Sequence, residues 1–299
     1  MSNMEKIKDL RIITQAGMKD CKDALTEAGG DLQKAIDLIK TKGKNVVLNN
    51  KTTAEGLIGI SRFENSMVMV EVNCVTDFVA RMPEFNKFVD HCLDSLCESV
   101  NNNIMWSSDK VDDNRKELIS ITKENINVNR WWVETMFKDG MGLFSYVHTN
   151  GKIGVIMTIL TSEEFVKHPD VIELGNNITL QIASMKPLAV SSDRLDIEAV
   201  TRQKSIFEQQ IIALNKPAAN HDKIMEGKLN KWYSEVCLLD QDYVVCNVPG
   251  KKISVGQMIK NLETVLNIKI EIVNFNRCEV GDGIEKPKED FSSRLTDNL

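Results

Sequence analysis

The chain has 299 residues, of which 42 % are apolar and 27 % charged, and its net charge is −6. This length allows two or three modules with a sizeable core, and the acidic balance provides no general field for nucleic acid. No apolar run approaches the roughly 18 residues of a membrane span, and Met1–Glu5 has neither the basic nor the apolar region of an export or transit signal, so a cytoplasmic protein with no membrane or direct nucleic-acid partner is expected.

Residues 4–43 read as three short helices. The first carries Ile7, Leu10 and Ile13, and Ala16-Gly17 breaks the pattern. The second has apolar positions at Met18, Cys21, Ala24 and Leu25, and Gly29-Gly30 ends it. Asp31 is placed to cap the third, whose stripe is Leu32, Ala35, Ile36 and Ile39. Such a small bundle is marginal alone, so it serves either as a docking unit or as a cap on a larger core. Lys44–Thr53 reads as a linker.

Two strands follow, 54–63 and 66–74, joined near Glu64-Asn65. Pro83 suits the first turn of the next helix, which leaves Thr76-Asp77-Phe78-Val79 on a strand-to-helix corner. Two readings of the corner stay open from the residues alone. Phe78 turns inward and Asp77 caps a helix, or the ring stays outside beside its carboxylate as a wedge for a partner. Phe85, Phe88, Val89, Cys92, Leu93, Leu96 and Val100 then form one apolar helical stripe. Asp109–Lys123 is charged and in part helical.

Ile126–Val133 begins a second strand series. In Ser145–Ile159, Asn150-Gly151 between two apolar runs fits a type I′ hairpin. Thr161-Ser162-Glu163-Glu164 offers a capping box for a helix carrying Val171, Ile172, Leu174, Ile178, Leu180 and Ile182, which stops before Pro187. Hairpin-then-helix thus occurs twice, at 54–100 and 145–185. Leu195–Leu214 and Asp222–Tyr233 read as an antiparallel helical hairpin, either a docking arm or fully packed. Glu235–Leu239 and Tyr243–Val248 read as short strands. Ser254 and Gln257 form a capping box, with Ile253 and Met258 as its staple, for a helix to about Leu266. Ile268–Ile272 alternates and continues to Val280. A charged tail with Phe291 and Leu295 closes the chain.

The seven cysteines (21, 74, 92, 97, 237, 246, 278) include no Cys-x-x-Cys pair, and the four histidines (91, 148, 168, 221) are scattered. Reduced core thiols are expected, with no metal or cofactor site. With no glycine-rich phosphate loop and no nucleophile motif, the chain does not read as an enzyme. A cysteine nucleophile is conceivable at Cys74, but that residue lies inside a predicted strand.

Three segments, in order along the chain, resemble the elongation factor Ts family. They are Leu10–Leu25, Glu71–Arg81 and Phe275–Lys286, and Glu124–Asn127 and Ala183–Pro187 also fit. Val75, Gln181 and Trp131-Trp132 depart from the usual pattern. The resemblance implies an α+β fold: a ubiquitin-associated-like three-helix module (1–44), a linker (45–53), a duplicated hairpin-plus-helix core (54–140 and 141–283) with an inserted helical hairpin at about 190–234, and a tail module (284–299). It also implies a nucleotide-exchange factor for elongation factor Tu that acts in the cytoplasm, needs no cofactor, and is compatible with a homodimer of Ts–Tu pairs. Thr76, Asp77, Phe78 and Val79 would then disturb the magnesium site of Tu, while Arg11, Thr14, Gly17, Met18, Asp20, Cys21 and Lys22 would dock the N-terminal module on Tu. The alternative is a Tu-binding protein that sequesters or stabilises its partner without efficient exchange.

Overall fold

A computed structural model describes residues 18–43, 52–213, 220–245 and 253–284, together with Met4, Lys6, Ile7 and Leu10. The architecture is α+β, as expected, and the chain divides into two compact units. One comprises Met1–Ser61, Val68–Trp132 and Cys278–Leu299, and the other Arg62–Met67 and Val133–Arg277.

In the first unit, α1 (Met18–Glu27) and α2 (Leu32–Gly43) pack on each other. Their apolar stripes meet the helical residues Ile7 and Leu10 in a cluster of Leu10, Cys21, Ala24, Leu25, Ala35, Ile36 and Ile39. Asp31 caps α2: its Oδ1 accepts the Lys34 amide at 3.1 Å. The expected break at Ala16-Gly17 and most of the expected linker lie outside the described residues.

Strands β1 (Glu55–Phe63) and β2 (Ser66–Cys74) are linked through Glu64 and Asn65 and form a sheet in the order β1-β2-β3, with β3 spanning Ile126–Thr135. Every residue of β2 is buried. Between β2 and β3 come α3 (Asp77–Ala80), α4 (Pro83–Asn101) and α5 (Asp112–Thr122). The predicted stripe of α4 is buried from Phe85 to Leu96. The helix lies close on β1, where a Cβ at Gly59 would come within 2.7 Å of Val89 Cγ1 and 2.8 Å of Leu93 Cδ1.

A fully enclosed carboxylate ties this sheet together. Glu71 of β2 is 0 % exposed. Its Oε2 accepts Arg130 Nε at 2.6 Å and Asn129 Nδ2 at 3.1 Å, both from β3. Its Oε1 accepts Asn73 Nδ2 at 3.0 Å and the Gly281 amide at 2.8 Å. Gly281 sits at φ +80°, and a Cβ there would stand 2.6 Å from the Ala54 carbonyl oxygen, so only glycine turns the chain at this point. Burial pushes the Glu71 carboxyl upward. The Arg130 guanidinium, the Gly281 amide and the Asn73 amide outweigh that and hold it below the usual carboxylate range.

In the second unit, β4 (Met141–Val147) and β5 (Ile153–Leu160) pair antiparallel from Met141↔Leu160 to Val147↔Gly154. Strand β6 (Glu271–Glu279) lies beyond β5. Helix α6 (Pro169–Met185) packs on β4 and β5, and α9 (Val255–Leu266) contributes Val255 and Ile259 to the same core as Val155, Met157, Ile178 and Ile182. The element order β-β-α-β therefore occurs in both sheets. Helices α7 (Ile197–Ala213) and α8 (His221–Val236) pack along each other, with Lys228 over the Phe207 ring at 5.2 Å. Only Ile211 of this pair is buried.

Four local expectations are corrected. The β4–β5 loop is not type I′: of Asn150-Gly151 only Gly151 has positive φ, and the turn closes by the Gly151 amide donating to the His148 carbonyl at 2.7 Å. The box at Thr161–Glu164 caps no α-helix. Glu163–Phe165 is one 3₁₀ turn, and α6 waits for Pro169, because the residue before proline is held extended (His168, ψ 134°). Glu235–Leu239 is not a strand: α8 runs to Val236 and the Cys237 amide still donates to the Tyr233 carbonyl. At Ser254 half of the box forms, since its Oγ accepts the Gln257 amide at 3.1 Å while Gln257 Nε2 turns to Asn261.

Two outcomes follow from this packing. Glu71→Gln leaves Arg130 without its charge partner and should lower unfolding free energy by about 3 kcal/mol at pH 7. Because the folded carboxyl lies below its unfolded value, its contribution is complete above about pH 4.3 and fades as the pH falls through the lower folded value. Urea denaturation of the two proteins should therefore converge on acidification. Gly175→Ala pushes a methyl to 2.3 Å from Phe144 Cε1 in the core. Overpacking of about 2 kcal/mol exceeds the gain of about 1 kcal/mol in helix propensity, so calorimetry should show Tm lower by about 3 °C.

Candidate functional site

The corner after β2 is built by a change of backbone habit over three residues. Cys74 ends the strand, Val75 bends, and Thr76 (φ −119°, ψ 152°) caps the four-residue helix α3. The cap is Thr76, not Asp77: Thr76 Oγ1 accepts the Val79 amide at 3.4 Å. The chain then straightens at Met82 (φ −67°, ψ 140°), as a residue before proline does, and α4 starts at Pro83.

A single helical turn sorts its residues by direction, since successive side chains differ by about 100°. Val79 and Ala80 face the core, at 6 % and 2 % exposure, while Phe78 stands out at 77 %. Leaving such a ring in water forgoes roughly 2 kcal/mol of burial. Beside it the Asp77 carboxylate meets Arg81 at 2.8 Å on the exposed side of the turn. In water this pair contributes at most about 1 kcal/mol, so Asp77 is easily released to another partner.

Thr76 is fixed from a distance. Glu124, just beyond α5, accepts the Thr76 amide with Oε2 at 3.0 Å and the Thr76 hydroxyl with Oε1 at 2.7 Å. Cys74 Sγ also donates to the Thr76 carbonyl at 3.1 Å. Nothing in the local pattern indicates the pairing of Thr76 with Glu124, because 48 positions separate them.

The N-terminal candidates fall into three groups. Arg11, Thr14 and Gly17 lie outside the described residues. Met18, Asp20 and Lys22 lie on the exposed side of α1, whereas Cys21 is fully buried and packs within the helical cluster. Asp20 Oδ2 lies 4.0 Å from Lys123 Nζ, and α2 packs on α5, so α1 is placed beside the residue that precedes Glu124.

Among the described cysteines, Cys74, Cys92 and Cys237 do not read as nucleophiles. Cys74 is buried and engaged with Thr76. Burial pushes the Cys92 thiol up to about 12 and, with Asp240 and Asp193 nearby, the Cys237 thiol up to about 11, so the thiolate is disfavoured. Among the described residues no three His, Cys, Asp or Glu side chains are grouped to hold a metal ion.

Known proteins resemble this chain along nearly its whole length. The family model described as elongation factor TS matches residues 75–282, beginning at the corner and ending just past the Glu71-bound glycine. An elongation factor Ts from Lawsonia intracellularis (strain PHE/MN1-00) is 38 % identical over 291 residues, covering 92 % of this chain and 97 % of that protein. Those from Clostridioides difficile (strain 630) and Clostridium kluyveri are 33 % and 34 % identical, each covering 99 % of this chain and 98 % of the relative. With the match running through both units and nearly end to end, the chain belongs to the elongation factor Ts family of translation factors.

Proposed function

We propose that this chain promotes release of GDP from elongation factor Tu, and that Phe78 is the group that does it. The observation that carries this reading is the exposed ring on a turn whose Val79 and Ala80 are buried and whose capping Thr76 is pinned. Asp77 adds a carboxylate at the same tip, weakly held by Arg81.

The energetics limit how such a tip can work. GDP held at nanomolar affinity is bound by roughly 12 kcal/mol. Part of that comes from magnesium bridging phosphate to protein and part from backbone amides around the phosphates. A partner loosens the nucleotide only by binding nucleotide-poor Tu more tightly, by the same coupling energy, because linkage is reciprocal. In this reading Phe78 enters between elements of Tu that hold the magnesium, and burying the ring there recovers the roughly 2 kcal/mol forgone in water. Asp77 exchanges Arg81 for polar groups of Tu. Met18, Asp20 and Lys22 on α1, with Arg11, Thr14 and Gly17, supply anchoring contacts that hold the two proteins together during the distortion. No covalent bond is made or broken.

Residues 1–44 act as a ubiquitin-associated-like docking module on a linker (45–53). Residues 54–140 and 141–283 form the two halves of the core, with a helical hairpin inserted at about 190–234, while the tail assigned to 284–299 lies, apart from Ile284, outside the described residues. The chain acts in the cytoplasm on a protein partner, and its complex with Tu is able to pair into a dimer.

Two measurements decide the matter. In stopped flow with fluorescent GDP on Tu, Phe78→Ala should slow maximal release by about thirtyfold, the effect of losing a central aromatic contact of about 2 kcal/mol. Co-elution of the two proteins in size-exclusion chromatography should survive. Release as fast with Phe78→Ala as with the natural chain removes the wedge. Co-elution without any acceleration by the natural chain favours the sequestering alternative.

A further inference from the structure

A four-residue helix has no stability of its own, because nucleation is not recovered over one turn. The direction in which α3 leaves the fold is therefore set by what holds Thr76. Glu124 holds it with both carboxylate oxygens, one on the amide and one on the hydroxyl. The hydroxyl proton is committed to Glu124, which leaves the Thr76 oxygen as acceptor for the Val79 amide. The clamp on Thr76 and the cap of α3 are thus made by the same hydroxyl and reinforce each other.

Glu124 is itself firmly mounted. Lys123 closes α5 in the left-handed conformation, at φ 59°, with its amide on the Ile119 carbonyl. The Glu124 amide donates to Thr122 Oγ1 at 3.3 Å, and Ile126, fully buried, starts β3 two residues later. The carboxylate is delivered by a helix end on one side and a core strand on the other.

We propose that Glu124 is the positioning residue of the corner: it presets the angle at which the Phe78 ring leaves the protein, and acts on the partner only through that ring. This rests on the exchange reading above. It adds a residue outside the corner and outside the N-terminal module, and gives it a role that needs no contact with the partner.

The test uses the full chain and two readouts. In fluorescent-GDP release from Tu, Glu124→Ala should lower the maximal rate about tenfold, the loss expected for hydrogen bonds to a charged group, with the half-saturating concentration changed far less. Glu124→Gln, which keeps one acceptor oxygen, should fall between the two. Added to Phe78→Ala, Glu124→Ala should cause no further loss. An undiminished rate in Glu124→Ala, or a further tenfold loss on top of Phe78→Ala, would overturn the proposal. Amide hydrogen exchange of the free chain tests it without Tu: the amides of Val79, Ala80 and Arg81 should lose about tenfold protection in Glu124→Ala while those of β2 keep theirs. Unchanged protection at the corner would sink the positioning role even if exchange is confirmed. A natural chain that does not accelerate release, with corner protection still lost in Glu124→Ala, would instead reject the exchange reading and retain Glu124 as the determinant of corner geometry.

Discussion

The carboxylate of Glu71, fully enclosed at the centre of the first sheet, collects donors from three separate parts of the chain: Asn73 on its own strand, Asn129 and Arg130 on β3, and the backbone of Gly281. A buried charge is tolerable only when its lone pairs are filled, and here four N–H donors and the Cys278 thiol surround the two oxygens. Arg130 extends the connection by donating to the Glu279 carbonyl at 3.0 Å. Residues 278–281 are thereby fastened to the strand that leads into the corner. A hydrophobic residue at position 71 would pack, but it would not specify which loop comes to lie there.

Below this anchor the same logic repeats on a smaller scale. Thr76 stands two residues past the end of β2 and is gripped by a second carboxylate, Glu124, from just before β3. Strands β2 and β3 are thus joined by acid-to-donor contacts at Glu71 and at the corner, with the sheet ladder between. The two carboxylates work in different surroundings: Glu71 is sealed, while Glu124 is half-buried beside an exposed tip.

Much of this was legible in the residues. The stripe of α4, the β1–β2 turn, the Asp31 and Ser254 caps and the run of β6 follow from periodicity and turn chemistry, which are local. The errors share a cause as well. At 161–169 a good capping box lost to the proline eight residues after it begins, and at 235–239 a mostly apolar run was held in helix and 3₁₀ turn by its contacts. Gln241 shows why: its side-chain amide donates to the Glu235 and Met185 carbonyls, satisfying backbone groups that a strand would have paired. The corner and an outward Phe78 were implied by the resemblance to a family, but the residues alone left its direction open. Whether Phe78 points in or out depends on which face of a one-turn helix meets the core, and that is decided by Glu124 and by the packing of Val79 and Ala80.

The bare Phe78 ring also bears on how the chain behaves in dilute solution. One benzyl group offers at most about 200 Å² of apolar surface, below the few hundred Å² at which patches begin to draw proteins into unspecific clusters. Its flanks are charged, Asp77 and Arg81 on the same turn, with inward-facing Val79 and Ala80 adding nothing to the greasy area. Confined to a single side chain, the apolar surface of this tip stays small.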